Sequence, residues 1–229
     1  RTLAVNANSR DFLKNLGIWK ELKSNFESID KIMIKDYVNK DDLIFHNTAE
    51  SMGSVVFNRS LLKISRDYLQ RNKILLTDID FKLSNHNPKK IVSINSKKYF
   101  FNKVIISGGK NFENYEKIKK KVFDLGHQAY VGFFNHQKNH YQTAYEIFTP
   151  KGPLAVLPSP NRQKKSSTFI FSTKNKVNFK SLSTLIKKNF YSSHGNISLS
   201  SSISSYPIRP HLSRPIQKDI LLIGDTAHS

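Results

Sequence analysis

The stretch DILLIGDTAHS at residues 219–229 has the residue types and spacing best suited to binding a ligand. Its apolar run, Ile220 to Ile223, predicts a strand that is buried on both faces. Gly224 ends that strand where a larger side chain would keep another backbone or a ligand away. Asp225 follows at the carboxyl end of the strand, the edge at which open α/β sheets bind nucleotide-like ligands, and its carboxylate can accept hydrogen bonds from sugar or ribityl hydroxyls. A simpler interpretation makes Asp225 the N-cap of a helix that begins at Thr226.

Other reactive residue types give weaker indications. His136 and His140 are four residues apart, and His127 is nearby, which is a spacing that can hold a metal on a helix. This segment instead reads as strand and turn without a supporting carboxylate, so we predict no metal site. The chain has no cysteine, which excludes disulfides, iron–sulfur clusters and thiolate nucleophiles. The serine-rich residues 192–205 contain no G-x-S-x-G elbow, so they do not support serine hydrolase chemistry.

These residues need helices and strands to position them, and the hydrophobic spacing predicts both. We expect an initial helix from Ser9 to Leu22, capped by Ser9 and broken at Gly17. Two more helices are predicted at residues 60–69 and 182–190. The alternating or apolar segments predict strands at 31–37, 74–80, 89–94, 103–107, 130–135, 144–149, 168–172 and 197–206. Turns are expected at 39–42 and 85–88. Helices near the start, many strands and a final buried strand indicate an α/β or α+β fold.

The composition is strongly basic, with 37 Lys and Arg against 17 Asp and Glu among 229 residues, a net charge of +20. Such a charge favours anionic partners. The lysines are spread along the chain, with denser runs at residues 117–121, 164–165 and 187–188, and they lack the interleaved aromatic residues of a single-strand binder. We therefore expect solvated lysines, 117–121 as a helix face, with a general attraction to anionic membrane, and no nucleic-acid partner. No run of eighteen apolar residues predicts a membrane-spanning helix.

Several segments, in order along the chain, resemble class A flavoprotein monooxygenases, and more narrowly the flavin-dependent aromatic hydroxylases of ubiquinone biosynthesis. The final apolar strand with Gly224-Asp225 is similar to the family's G-D-A-A-H motif. The remaining matches are RTLAV followed by Ser9, Leu13 and LGIW at 16–19, MGSVVFNRSL at 52–61, FTPKGPLAVLP at 148–158, and Tyr206-Pro207. The matches extend from one end of the chain to the other.

The resemblance implies that FAD is the cofactor. By position, Asp225 is the carboxylate that reaches the ribityl chain, and Gly224 allows its close approach. Asn58 matches a polar position at a helix start on the flavin side, and Arg1 matches an arginine close to the cofactor. The G-P-L-A-x-L-P segment belongs to the substrate half, where it is expected to shape the sheet. No catalytic residue is assigned, because in this family the flavin carries the chemistry.

The sequence departs from the family pattern in three places. The chain begins at Arg1, after the G-x-G-x-x-G turn that binds the ADP pyrophosphate, and it ends at Ser229, before a stretch near the flavin ring. We therefore expect a piece of a longer protein that is inactive on its own. The internal departure is at residues 106–111, ISGGKN, where the family has an A-D-G motif used for cofactor and reductant binding. The missing aspartate puts reduction by a nicotinamide nucleotide in question.

The implied fold is α/β, an incomplete Rossmann-like FAD-binding domain with an interleaved antiparallel sheet for the substrate. Residues 1–29, 51–126 and 216–229 are expected in the FAD domain, and 30–50 and 127–215 in the substrate domain. The implied activity is hydroxylation of the aromatic ring of a polyprenyl-phenol in ubiquinone biosynthesis, with NAD(P)H and O₂ as co-substrates.

A prenylated aromatic small molecule would be the substrate. The resemblance further implies a cytoplasmic protein, peripheral contact with the anionic inner membrane, and a ubiquinone-synthesis complex as partner. Two alternatives stay open. One is a non-catalytic assembly partner with the same fold, and the other is a basic nucleic-acid-binding protein.

Overall fold

A computed structural model describes residues 1–23, 25–37, 42–47, 50–77, 81–85, 90–109, 120–161, 163–217 and 220–228. Its helices are α1 (Ala7–Asn15), α2 (Ile18–Glu21), α3 (Asn58–Arg71) and α4 (Phe179–His194). Its first ten strands are β1 (Thr2–Asn6), β2 (Phe26–Ile29), β3 (Lys31–Asp36), β4 (Asp42–His46), β5 (Gly53–Phe57), β6 (Phe81–Asn85), β7 (Lys90–Ile94), β8 (Lys97–Phe101), β9 (Val104–Ile106) and β10 (Lys120–Val122). The others are β11 (His127–His136), β12 (Thr143–Thr149), β13 (Gly152–Pro158), β14 (Ser166–Thr173), β15 (Ile197–Leu199), β16 (Ser204–Ile208), β17 (His211–Ser213), β18 (Ile216–Gln217) and β19 (Ile220–Leu222), before a 3₁₀ turn at Gly224–Thr226.

The chain divides into two compact units. The first unit contains Arg1–Ile74 and His127–Pro207, and the second contains Leu75–Gly126 and Ile208–Ser229. Each unit is built from chain segments far apart in sequence. The assignment of particular segments to a cofactor domain and a substrate domain stays a prediction.

An eight-stranded sheet dominates the first unit, in the order β15-β11-β14-β13-β12-β3-β4 with β16 added to β11. The pairs along that order are antiparallel except for β12 with β3, which are parallel. Helix α4 contributes Leu182, Ile186 and Phe190 to the largest buried cluster, which also holds Phe134 and Phe169 of the sheet. These three helix side chains recur every four residues on one face of α4, and their burial against an apolar face of the sheet holds the helix in place.

A smaller sheet in the first unit has the order β1-β5-β2, all antiparallel. Beside it the chain turns through α1 and α2, and Gly17 between them adopts a φ of 76°, so the predicted break at this glycine is confirmed. The predicted cap of α1 was wrong. Asn6 is the N-cap, because its side chain accepts a hydrogen bond from the backbone N–H of Ser9, and α1 begins at Ala7.

The second unit consists of three small sheets, β6-β7-β8, β10-β17 and β18-β19-β9. Strands β9 and β19 are parallel, with Leu222 beside Ile106. The prediction that β19 is buried on both faces was wrong. Ile220 and Leu222 are buried in a cluster with Ile106, whereas Leu221 is 38% exposed, because only one face of this sheet packs on a core.

The remaining differences between expectation and structure concern strands. Strand β13 was missed because Gly152, Pro153 and Pro158 give it the composition of a turn. The other strands that were missed are β1, β2, β4, β5, β6, β8, β10, β17 and β18, and residues 74–77 are not a strand. Residues 120 and 121 of the basic run belong to β10 rather than to a helix face. Positions 39–41, 86–88 and 117–119 of the predicted turns and basic run lie outside the described residues.

The predicted α/β class is confirmed, and the described residues contain more strand than helix. In the part of the chain that the structure describes, none of the helices has both the length and the apolar composition needed to cross a membrane.

Candidate functional site

The Gly224–Thr226 turn lies at the carboxyl end of β19, next to the carboxyl end of β9. The two strands are parallel and paired through Leu222 and Ile106, and the backbone N–H of Ile223 donates to the carbonyl of Ile106 at 3.0 Å. Because parallel strands end at the same edge of a sheet, the residues after β9 and those after β19 meet here. These are Ser107-Gly108-Gly109 on one side and the turn on the other.

Thr226 fixes this meeting point. Its side-chain oxygen accepts a hydrogen bond from the backbone N–H of Gly109 at 3.0 Å, and it lies 3.3 Å from the carbonyl oxygen of Gly109, to which it can donate. Thr226 is fully buried, and Gly109 has a φ of 78°. The segment in which the family's aspartate is missing is therefore joined directly to the Gly-Asp turn.

The structure agrees only in part with what the sequence predicts for Gly224 and Asp225. Gly224 has a φ of 58°, but a Cβ placed on it would meet no atom of the described chain within 4 Å. The need for glycine in this chain is thus conformational, and no neighbouring backbone approaches it closely. The alternative of Asp225 as a helix cap was wrong, because Ile223 occupies the N-cap position of the turn. Asp225 is exposed, and its carboxylate has no hydrogen-bond or ion-pair partner among the described residues.

Arg1 and Asn58 are adjacent in the first unit. Strands β1 and β5 are antiparallel, with Thr2 beside Phe57, and the backbone N–H of Asn58 donates to the carbonyl of Arg1 at 3.1 Å. Asn58 is the first residue of α3, as the resemblance implies, and the helix starts two residues before the position predicted from the hydrophobic spacing. Within the described chain, the Arg1 guanidinium and the Asn58 amide have no partner of their own. Both side chains are therefore free to bind a ligand.

A cavity of about 420 Å³ opens near these two residues. Leu3 lies two residues after Arg1, Leu61 lies on the first turn of α3, and both line the cavity. Its other lining residues are mostly apolar: Ala4, Val5, Asn6, Ser9, Leu13, Ile29, Ile32, Met52 and Gly53. A cleft of this size with few polar groups suits a small apolar or aromatic molecule.

The histidines considered for metal binding form part of a buried cluster. His136 ends β11, and its ring centre is 6.1 Å from that of His140 and 4.5 Å from that of His194, at the end of α4. The His136 ring nitrogens bond to the Lys138 carbonyl at 2.7 Å and to the Ser167 hydroxyl at 3.0 Å. Among the described residues, no group of three or more side chains is arranged to hold a metal ion.

Burial keeps this cluster uncharged. Burial, and to a smaller extent the neighbouring His136, lower the pKa of His194 to about 3 and the pKa of His140 to about 4. Burial also lowers the pKa of His136 and raises the pKa of Glu27, whose carboxylate is 3.9 Å from Nε2 of His140. The cluster is thus a neutral, packed element of the first unit.

Sequence reasoning missed two of the residues that organise these sites, Thr226 and His194. The signal for His194 was available, because Leu182, Ile186, Phe190 and His194 share one spacing of four residues along α4. Thr226 carried no comparable signal, since its partner Gly109 is 117 residues away in sequence.

No protein-family model and no curated protein sequence matches the chain. Solved structures do match it: the flavin-dependent brominase Bmp2 with a TM-score of 0.70 at 11% identity, over 98% of this chain and 62% of the brominase. The p-nitrophenol 4-monooxygenase PnpA from Pseudomonas putida DLL-E4 gives 0.70 at 8% identity, over 100% of this chain and 63% of the other. Klebsiella pneumoniae HpxO, solved with FAD and uric acid, gives 0.65 at 11% identity, over 100% and 64%.

The chain therefore has the fold of flavin-dependent monooxygenases, and it spans less than two thirds of the length of the solved structures it matches. At identities this low the likeness establishes the fold, and function depends on the residues of the site. Arg1 with Asn58 in the first unit, and Gly224 with Asp225 in the second, are the two pairs that the structure brings together.

Proposed function

We propose that this chain is part of an FAD-dependent monooxygenase that hydroxylates an aromatic ring. The observation that carries the proposal is the pairing of this fold with the Gly224-Asp225 turn, which lies at the carboxyl edge of a parallel strand pair and is joined to Gly109 through Thr226. A flavin binds through hydroxyl, phosphate and ring atoms, so its site needs polar side chains that the protein leaves unpaired.

The residues present fit such a cofactor. The carboxylate of Asp225 is exposed and has no partner in the described chain, so it can accept hydrogen bonds from ribityl hydroxyls. Arg1 and Asn58 are likewise unpaired there, and they supply a cation and an amide. We propose these residues, with Gly224, as the FAD contacts.

The chemistry supplied by bound FAD would be reduction by NAD(P)H, followed by activation of O₂ for transfer of one oxygen atom to an electron-rich ring. The tasks left to the chain are binding, orientation and exclusion of water. Asp225 would hold the ribityl chain, and Arg1 and Asn58 would hold the flavin side of the cofactor. The apolar cavity at Leu3 and Leu61 would keep the ring of the substrate away from water.

The finer assignment rests on the resemblance to ubiquinone-biosynthesis hydroxylases. The proposed substrate is a polyprenyl-phenol intermediate, a prenylated aromatic small molecule. Because such a substrate dissolves in membrane, we propose that the net charge of +20 holds a cytoplasmic protein on the anionic inner membrane. A ubiquinone-synthesis complex is the proposed partner. Pelleting with anionic liposomes should weaken as salt is raised, and pelleting that ignores both salt and lipid charge would contradict the membrane proposal.

A second candidate function follows from Ser107-Gly108-Gly109. The family's aspartate is absent from this segment, although the segment keeps its place beside the Gly-Asp turn. A protein that keeps the fold and the flavin but has lost reduction by NAD(P)H would act as a non-catalytic assembly partner.

One experiment separates these functions. The full-length gene product is incubated with FAD, NAD(P)H, O₂ and a short-chain prenylphenol, and NAD(P)H oxidation and hydroxylated product are both measured. The enzyme assignment predicts that the phenol stimulates oxidation and gains one oxygen atom. Bound flavin without oxidation would favour the assembly partner, and absence of flavin binding would contradict both.

A further inference from the structure

One face of the eight-stranded sheet carries an apolar surface that continues from the cavity. Ile32 of β3, which lines the cavity, pairs with Phe45 of β4 and with Ala144 of β12. One pleat further along β3, Ile34 pairs with Leu43. Because paired residues in neighbouring strands share a face, these side chains form one surface.

Two carboxyl groups lie on this face, Asp36 at the end of β3, where it pairs with Phe148, and Glu146 within β12. The strand register places Glu146 between Ile34 of β3 and Ala155 of β13. On β12 itself, the residues on the same face before and after it are Ala144 and Phe148. Glu146 is thus an acidic group with apolar neighbours on all four sides.

Glu146 is partly buried and makes no hydrogen bond or ion pair with any described residue. Burial raises the pKa of its carboxyl group. A desolvated carboxyl group without a partner destabilises the folded chain. Residues that lower stability in this way are characteristic of binding sites, where a ligand supplies the missing partner.

We propose that Glu146 binds the hydrogen-bond donor of a ligand whose apolar part lies on the surface formed by Ile32, Ile34, Leu43, Phe45 and Phe148. The ligand class is an apolar or aromatic molecule with one O–H or N–H group, of which an alkylphenol is the simplest member. The proposal deepens the proposed function, on which its choice of a phenol rests. It makes Glu146 a residue that determines which ring substituents are accepted, by preferring molecules that can donate a hydrogen bond.

The test measures binding and needs no flavin. Two probes that differ only in the hydroxyl group, 4-pentylphenol and pentylbenzene, are titrated into the protein by calorimetry. We expect the protein to bind the phenol about tenfold more tightly, the scale of one hydrogen bond to a charged group. Glu146→Leu should bind both probes equally, and Glu146→Gln should keep part of the preference because its amide oxygen still accepts.

Glu21→Leu is the matched control, since Glu21 is an ion-pair partner of Arg71 on the surface of the first unit. This variant should keep the full preference for the phenol. Unfolding by urea provides a second readout, in which Glu146→Leu should be at least as stable as the parent protein because a desolvated carboxyl group is removed.

Three results would overturn the proposal: no binding of either probe, equal binding of both by the parent protein, or an unchanged preference in Glu146→Leu. A protein that takes up FAD yet gives one of these results would keep the proposed function and lose the assignment of Glu146. Conversely, a preference that depends on Glu146 in a protein without flavin would keep this site and remove the proposed function.

Discussion

At the scale of single residues, Thr226 joins two distant chain segments through one buried side chain. Its hydroxyl, fully buried, bonds to the backbone of Gly109 and so joins the turn after β19 to the residues after β9. Asp225 beside it is exposed and unpaired in the described chain. A buried residue that fixes the backbone next to an unpaired carboxylate is an arrangement that holds a ligand group in position.

Thr226→Val tests this role in stability. The valine matches the shape of threonine but leaves the Gly109 N–H without its acceptor, so we expect the free energy of unfolding to fall by about 1–3 kcal/mol. Thr226→Ser keeps the hydroxyl and should lose less. Urea unfolding of the three proteins gives the comparison, and equal stability of Thr226→Val and the parent protein would contradict the assigned role.

Asp225→Asn tests the proposed cofactor contact. Removing the charge weakens a hydrogen bond to a ribityl hydroxyl, and we expect FAD to bind about tenfold more weakly, with the stability of the protein unchanged. The measurement is a fluorescence titration with FAD. Asp124→Asn, an exposed aspartate in the same unit that pairs with Arg209, is the control and should bind FAD normally. Equal affinities for both variants would argue against the contact.

At the scale of elements, the sequence predicts those whose pattern is local. Helix α4 and strands β11, β12 and β14 show a clear apolar period, and β9 with β19 shows apolar runs before glycines. Strand β13 could not be predicted, because its prolines and glycine carry turn chemistry and only the neighbouring β12 and β14 make it a strand.

The residues of the candidate site also divide into those with a local sequence pattern and those that depend on distant partners. Gly224, Asp225, Arg1 and Asn58 belong to motifs of consecutive residues and could be singled out from the sequence. Thr226 depends on a partner 117 positions away, and Glu146 depends on the register of β3, β12 and β13. Side chains whose importance comes from distant neighbours are the ones that a single sequence does not reveal.

Gly152, at the start of β13, occupies a position that admits no larger residue. Its φ is 130°, and a Cβ placed on it would lie 2.0 Å from the carbonyl oxygen of Ser172. Gly152→Ala should therefore lower the free energy of unfolding by about 3 kcal/mol or more. Gly17→Ala is a suitable control, since Gly17 also has positive φ but no atom within 4 Å of an added Cβ, and it should cost about 1 kcal/mol. Similar urea midpoints for the two variants would contradict this account.

The histidine cluster makes the first unit sensitive to acid. The unfolded chain binds protons on these histidines near pH 6.5, whereas the folded chain resists until the pKa values of about 4 for His140 and about 3 for His194. Stability is therefore complete above pH 6.5 and falls as the pH drops towards 4, by on the order of a few kcal/mol. The raised pKa of Glu27 has the opposite sign and offsets part of this loss at the acid end.

Urea midpoints measured between pH 7.5 and 4 test this expectation. His194→Leu removes one buried imidazole and should flatten the dependence on pH, whereas His46→Leu, at an exposed position, should leave it unchanged. A midpoint that does not move between pH 7.5 and 5 in the parent protein would show that the cluster does not control acid stability.

At the scale of the whole molecule, this chain shares its fold with solved structures whose sequences are very different. This chain shares 8–11% of its residues with the three solved structures described above, yet TM-scores reach 0.65–0.70. A fold tolerates such divergence where the buried positions stay apolar and of suitable volume while their identities vary. The surface is free to diverge further, and here it carries a net charge of +20.

The proposal that the protein binds flavin is tested by the visible absorption spectrum of the full-length gene product. The protein is purified, equilibrated with FAD and passed through a desalting column before the spectrum is recorded. We predict that flavin bands stay with the protein and that denaturation releases FAD in proportion to the protein. A colourless protein that takes up no added FAD would contradict the claim and leave the likeness to flavin-dependent monooxygenases as one of fold alone.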